Sequence, residues 1–188
     1  MKKKLKITFN APVVLTMAII CLVATVLGIV TGGKSTELVF MTYRSSLRNL
    51  MTYVRFFTHI FGHVDWEHFM GNISMLLLLG PMLEEKHGPY KLLEIIAVTA
   101  VITGLVNYIL FPATALCGAS GVVFAFILLT SFTSFRSGEI PLTFILVTVI
   151  YLGQQIYDGI VIKDDISNLA HIIGGAVGSI FGYVLNKK

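Results

Sequence analysis

Charged residues are scarce in this chain: Asp, Glu, Lys and Arg supply 13% of its 188 residues against 55% hydrophobic ones, and mean hydropathy is +0.83. A soluble domain of this length needs more polar surface to stay dispersed, so the deficit excludes that class and leaves an integral membrane protein. Cysteine is scarcer still. The two residues present, Cys21 and Cys117, are too few for a disulfide framework and fit no metal-ligand spacing. Cys21 lies in an apolar run and reads as a small hydrophobe; Cys117 lies three residues before Ser120 with nothing to mark it as reactive. The formal charge of +4 gives no nucleic-acid signal, because many lysines gather at the ends: Lys2, Lys3, Lys4 and Lys6, then Lys187 and Lys188. An internal repeat and a low-complexity tract are both lacking. A clear small-residue cleavage site is missing after Ala11–Val30, so that run reads as a span and not as a signal peptide.

Long apolar runs are what the chain does have. An apolar helix needs about 20 residues to cross a hydrocarbon core of about 30 Å. On that basis the sequence predicts six spans: Ala11–Val30, Trp66–Leu83, Tyr90–Leu110, Ser120 to about Ser134, Pro141–Gln154 and Asn168–Leu185. Glu84, Glu85, Lys86, Gly88 and Pro89 bound the second, and Pro112 stops the third. The expected fold is an all-α bundle of six transmembrane helices in one domain, 1–188, with a short basic start (1–10) and a membrane core of about 11–185. The segment Thr31–Val64 mixes basic residues with Tyr43, Leu47, Leu50, Met51, Tyr53, Phe56 and Phe57. It reads as short amphipathic helices in the membrane interface and not as a seventh span.

Charge asymmetry sets the expected orientation. With the N-terminus inside, Lys2, Lys3, Lys4, Lys6, Lys86, Lys91, Arg136, Lys187 and Lys188 are cytoplasmic, whereas Lys34, Arg44, Arg48, Arg55 and Lys163 are external. Nine against five favours both termini in the cytoplasm. Spans two, four and six then begin at the outer face.

The fourth span is short. About 15 residues reach roughly 22 Å, against the ~30 Å to be crossed. With its inner end near Arg136, its outer end stops below the surface, and the linker Pro112–Cys117 dips inward to meet it. Such backbone is tolerated only where it is buried in protein or lines a watery cavity. Ser120 is thereby placed at the positive end of a helix dipole, with its backbone N–H free in the first turn. The fifth span is short by the same count, so length alone decides nothing. Taken alone, Gly118-Ala119-Ser120-Gly121 is most often a capped helix start.

Context comes from the other two helices that begin outside. The second carries His68 and Asn72 at i and i+4, on one face; the sixth carries Asn168 and His171. Ionisable and amide groups inside a membrane are costly and default to function. A single such histidine is more often structural, but three helices agree in depth. Behind His171 come Gly174, Gly178 and Gly182, a small-residue stripe that lets helix backbones approach closely. Laid against Gly121 and Ala125, this stripe would bring His171 to Ser120.

These residues resemble the rhomboid family of intramembrane serine proteases, from about Arg55 to Gly182. Gly118-Ala119-Ser120-Gly121, Ala170-His171 with Gly174 and Gly178, and His68 with Asn72 after Thr58, His59 and His63 carry the resemblance, joined by Gly80, Glu84 and Gly88. It implies a serine–histidine dyad, with Ser120 as nucleophile and His171 as base. It also implies an oxyanion hole of His68, Asn72 and the Ser120 N–H, with Gly118, Gly121, Phe124, Asn168, Gly174 and Gly178 in support. Asp164 and Asp165 are assigned to the loop before the sixth span, so no carboxylate orients the histidine. Two positions depart from the pattern: Phe124 stands where a tyrosine is usual, and Val54-Arg55 stands for Trp-Arg. The substrates implied are transmembrane proteins, entering past the fifth span and the loop Tyr157–Ser167. No cofactor and no metal are expected, since His59 and His63 have a zincin-like spacing without its glutamate. The implied setting is a bacterial plasma membrane, with no soluble accessory domain. A non-proteolytic escort of membrane clients usually lacks the serine or the histidine. A small transporter would show broken helices paired in repeated halves, and none is found.

Overall fold

Pro12 opens the first helix, where a missing N–H costs nothing and the ring presets φ. In the computed structural model, which describes residues 7–132, 139–161 and 165–186, this helix is α1 (Pro12–Val30). The next two N–H groups, of Val13 and Val14, each donate at 3.0 Å to one oxygen of the Glu84 carboxylate. A buried acid on a distant helix thus caps α1. Val14, Met17, Cys21, Ala24, Thr25 and Gly28 form its buried stripe, while Val23, Val26 and Val30 face outward.

The first loop folds into α2 (Lys34–Val39), α3 (Leu50–Thr58) and a 3-10 turn (His59–Phe61). Asn49 caps α3 by accepting from the Met51 N–H at 2.9 Å. Thr52, Arg55 and Phe56 are buried, and Leu50 and Tyr53 are exposed, so α3 is amphipathic as its pattern predicts. Next come α4 (Trp66–His87), α5 (Pro89–Leu110), α6 (Ser120–Phe132), α7 (Leu142–Val161) and α8 (Asp165–Asn186).

Three boundaries differ from expectation. Helix α4 continues through Pro81 to His87 and ends at Gly88, whose φ of +82° suits glycine. The charges at Glu84–Lys86 do not stop it, because Glu84 is buried against the start of α1. Helix α7 is 20 residues long and passes Gln154 to Val161, so the fifth helix is not short. Helix α8 begins at Asp165, which belongs to the helix and not to the loop. The stretch Tyr157–Ser167 is therefore largely helical, with 162–164 outside the described residues. The end of the fourth span at Ser134 also lies outside them, as do Lys2, Lys3, Lys4, Lys6, Arg136, Lys163, Lys187 and Lys188.

Among the described residues there is no strand; Thr42 and Leu116 form an isolated bridge. Helices Pro12–Val30, Pro89–Leu110 and Asn168–Asn186 are long and apolar enough to cross a membrane, with mean hydropathies of 2.9, 2.0 and 1.4. Helix α6 is apolar but shorter, at 13 residues. It is buried all round, from Gly121 through Leu129, at the centre of α4, α5, α7 and α8. A helix enclosed by other helices need not match the bilayer's thickness, which is why a short one suffices. The outer helices expose Leu78, Leu105, Val149 and Ile180, an apolar surface suited to lipid. The chain is an integral membrane protein.

Candidate active site

Helix α8 lies on α6 with almost no side chain between them. A Cβ built on Gly174 would stand 2.0 Å from the Gly121 carbonyl oxygen, and one on Gly178 would stand 2.1 Å from that of Ala125. One on Gly182 would strike the Phe132 ring at 2.5 Å. Any residue larger than glycine would force the backbones apart, as in other small-residue helix contacts. The predicted stripe therefore meets its predicted partners, and the register carries the start of α8 to the start of α6.

The linker before Ser120 is held by the first loop. Thr42 and Leu116 exchange both backbone hydrogen bonds at 2.9 Å, and the Gly118 N–H donates to the His59 carbonyl at 2.9 Å. The Asn107 amide donates to the carbonyls of Thr42 and Thr114 at 3.4 and 3.3 Å. Gly118 has φ +121°, and a Cβ there would lie 2.7 Å from the His68 ring, so this position requires glycine.

The loop itself hangs on Arg55. The buried guanidinium donates to Ser45 Oγ at 2.7 Å, Tyr43 Oη at 3.1 Å and the Leu38 carbonyl at 3.4 Å. It also lies 4.2 Å from the Tyr43 ring centroid. Arg55 thus anchors the loop although Val54 precedes it. Thr58 donates to the Val39 carbonyl. His59 Nδ1 donates to the Arg55 carbonyl at 3.2 Å, and its Nε2 faces the Thr103 hydroxyl at 3.3 Å. Burial pushes the His59 and His63 imidazoles down to about 4, so both are neutral struts of the loop.

Ser120, His171, His68 and Asn72 line a single cavity of about 500 Å³. Ser120 and His171 are each half-buried. The His171 ring stacks on Phe124, centroids 4.3 Å apart and planes 6° apart, so phenylalanine supplies the flat support expected there. His68 and Asn72 share one face of α4, where the Asn72 amide donates to the His68 carbonyl at 3.0 Å. That amide retains a second N–H. Asn168 is buried one turn before His171 and is not among the described residues that line the cavity. Gly121, Gly174 and Gly178 act through the seam, not in the cavity.

The cavity also takes in Asp65, Glu67 and Cys117, none of which the sequence singled out for it. Asp65 is the N-cap of α4 and accepts from the His68 N–H at 2.7 Å. An aspartate just before an apolar run is a helix-start signal that was available. Burial first, and the Asp65 charge second, push the Cys117 thiol up to about 11. It is an inert thiol at ordinary pH.

A family model described as the rhomboid domain matches residues 51–188. Rhomboid-related protein 1 of Caenorhabditis elegans is 31% identical over 140 residues, 70% of this chain and 39% of that protein. Rhomboid protease GlpG of Haemophilus influenzae is 32% identical over 138 residues, 71% and 70% of the two chains. Rhomboid protease GlpG of Yersinia pestis is 26% identical over 179 residues, 92% and 62%. The chain thus spans about two-fifths of the worm relative and about two-thirds of the bacterial ones.

Proposed function

Since this chain belongs to the rhomboid family, we propose that it is an intramembrane serine endopeptidase that cuts transmembrane proteins with a Ser120–His171 dyad. The observation that carries the reading is the meeting of Ser120, His171, His68 and Asn72, from three helices, in one cavity. His171 takes the proton as Ser120 Oγ attacks the substrate carbonyl, then gives it to the leaving amine. Negative charge gathers on the carbonyl oxygen. The His68 ring, the Asn72 amide and the Ser120 N–H donate to it; one such donor is worth about 10²–10³ in rate. Water then hydrolyses the ester by the same path in reverse roles.

No acid is needed beside His171. Stacking on Phe124 holds the ring plane, and a buried carboxylate would carry a large desolvation cost. The reading includes six spans in a single domain, 1–188, with both termini in the cytoplasm of a bacterial cell and the cavity opening outward. Substrates enter sideways past α7, unwinding where small or helix-breaking residues allow.

The test is cleavage of a model transmembrane substrate in liposomes. Wild type should cut, and Ser120→Ala and His171→Ala should each lose at least about 10³-fold. Persistent cleavage by purified Ser120→Ala would refute the assignment.

A further inference from the structure

Two carboxylates, Asp65 and Glu67, line the same cavity as Ser120 and His171, and both residues are exposed at its rim. No lysine or arginine is among the described residues that line it. The two carboxylates give the cavity lining a formal charge of −2. Neither acid is consumed by an ion pair: among the described residues the pair within 4 Å is Lys91–Glu94, elsewhere on the surface. Asp65 spends one oxygen on the His68 N–H. Glu67 sits in the first turn of α4, where the helix dipole favours negative charge.

We infer that this acidic rim selects substrates carrying a lysine or arginine beside the cleaved bond, and disfavours those with an acidic residue there. The inference rests on the protease reading and names its substrate class. A peptide unwound into the cavity brings its flanking side chains within a Debye length of both carboxylates. Charges of this kind act more through discrimination than through raw affinity. Membrane proteins place most of their lysine and arginine on the cytoplasmic side. A basic residue at the outer end of a span is therefore uncommon, and a site that favours one is selective.

The experiment uses the full chain in phosphatidylcholine liposomes and one transmembrane substrate. Lys, Gln or Glu is placed in turn at each position flanking the bond. At the responsive position kcat/KM should favour Lys over Glu by about 3- to 10-fold, less at high salt. Glu67→Gln should shrink the ratio and Glu67→Lys should invert it. Asp65→Asn, which keeps the helix cap, should shrink it too. A Lys/Glu ratio unchanged in Glu67→Lys would overturn the inference. Binding of the same three substrates to Ser120→Ala, read by fluorescence anisotropy, separates the two claims. A Lys preference in binding supports the acidic rim even if cleavage fails, and equal binding of all three contradicts it. Cleavage that survives in Ser120→Ala sinks the dyad alone.

Discussion

Where α6 meets α8, carbonyl oxygens lie against bare glycine Cα atoms, whereas the first loop meets α5 through side chains that each carry a hydrogen bond. The seam has no rotamers to adjust, so steric exclusion sets the register of α8, which carries His171, on α6, which carries Ser120. The loop holds the linker by separate hydrogen bonds. A site shared by the two should therefore fail differently according to which is damaged: the seam through rate, the loop through stability.

The sharpest break is Gly174→Val. Its Cβ has no room beside the Gly121 carbonyl, and a displacement of about 1 Å between reacting groups costs about 10²-fold. Cleavage should fall at least that far while helical circular dichroism is retained. A variant with near-normal kcat would show that the seam does not align the dyad.

Arg55→Ala should act on the other side of the comparison. It removes the buried guanidinium that Ser45, Tyr43 and the Leu38 carbonyl accept from, which should lower unfolding stability in micelles by about 2–4 kcal/mol. Residual kcat in the folded fraction should stay close to wild type. Glu84→Ala uncaps α1 by freeing the Val13 and Val14 N–H groups. It should cost about 1–2 kcal/mol in the same assay, far from the cavity and with little change in rate.

A different break is in pH. His59 and His63 are held near 4 by burial, below the ordinary value of about 6.5. The unfolded chain therefore takes up protons that the folded one refuses. Stability should be full above pH 6.5, fall between 6.5 and 4, and level off below. His59→Gln should flatten part of that slope, as read from unfolding midpoints against pH.

Much of this was legible in the sequence, because hydropathy and small-residue spacing act locally. The stripe's expected partners, Gly121 and Ala125, are the ones that Gly174 and Gly178 meet, since bare glycine admits a facing backbone. Hydropathy failed where it was asked for helix ends. Backbone hydrogen bonding continues past polar residues, so α7 runs beyond Gln154 and α4 beyond Glu84. The tethers Thr42–Leu116 and Gly118–His59 were invisible because they join segments far apart in the chain through backbone groups. Asp65 and Glu67 were passed over for a related reason: composition gives no rotation about a helix axis, and rotation decides which of the first-turn residues face the cavity.

The central claim is that Ser120 is a nucleophile made reactive by His171, and a fluorophosphonate tests it directly by bonding to such a serine. Mass mapping of the labelled protein in liposomes should place the adduct on Ser120, with labelling lost in His171→Ala and unchanged in Asn168→Ala. An adduct on another serine, or equal labelling of Ser120 without His171, would contradict the account.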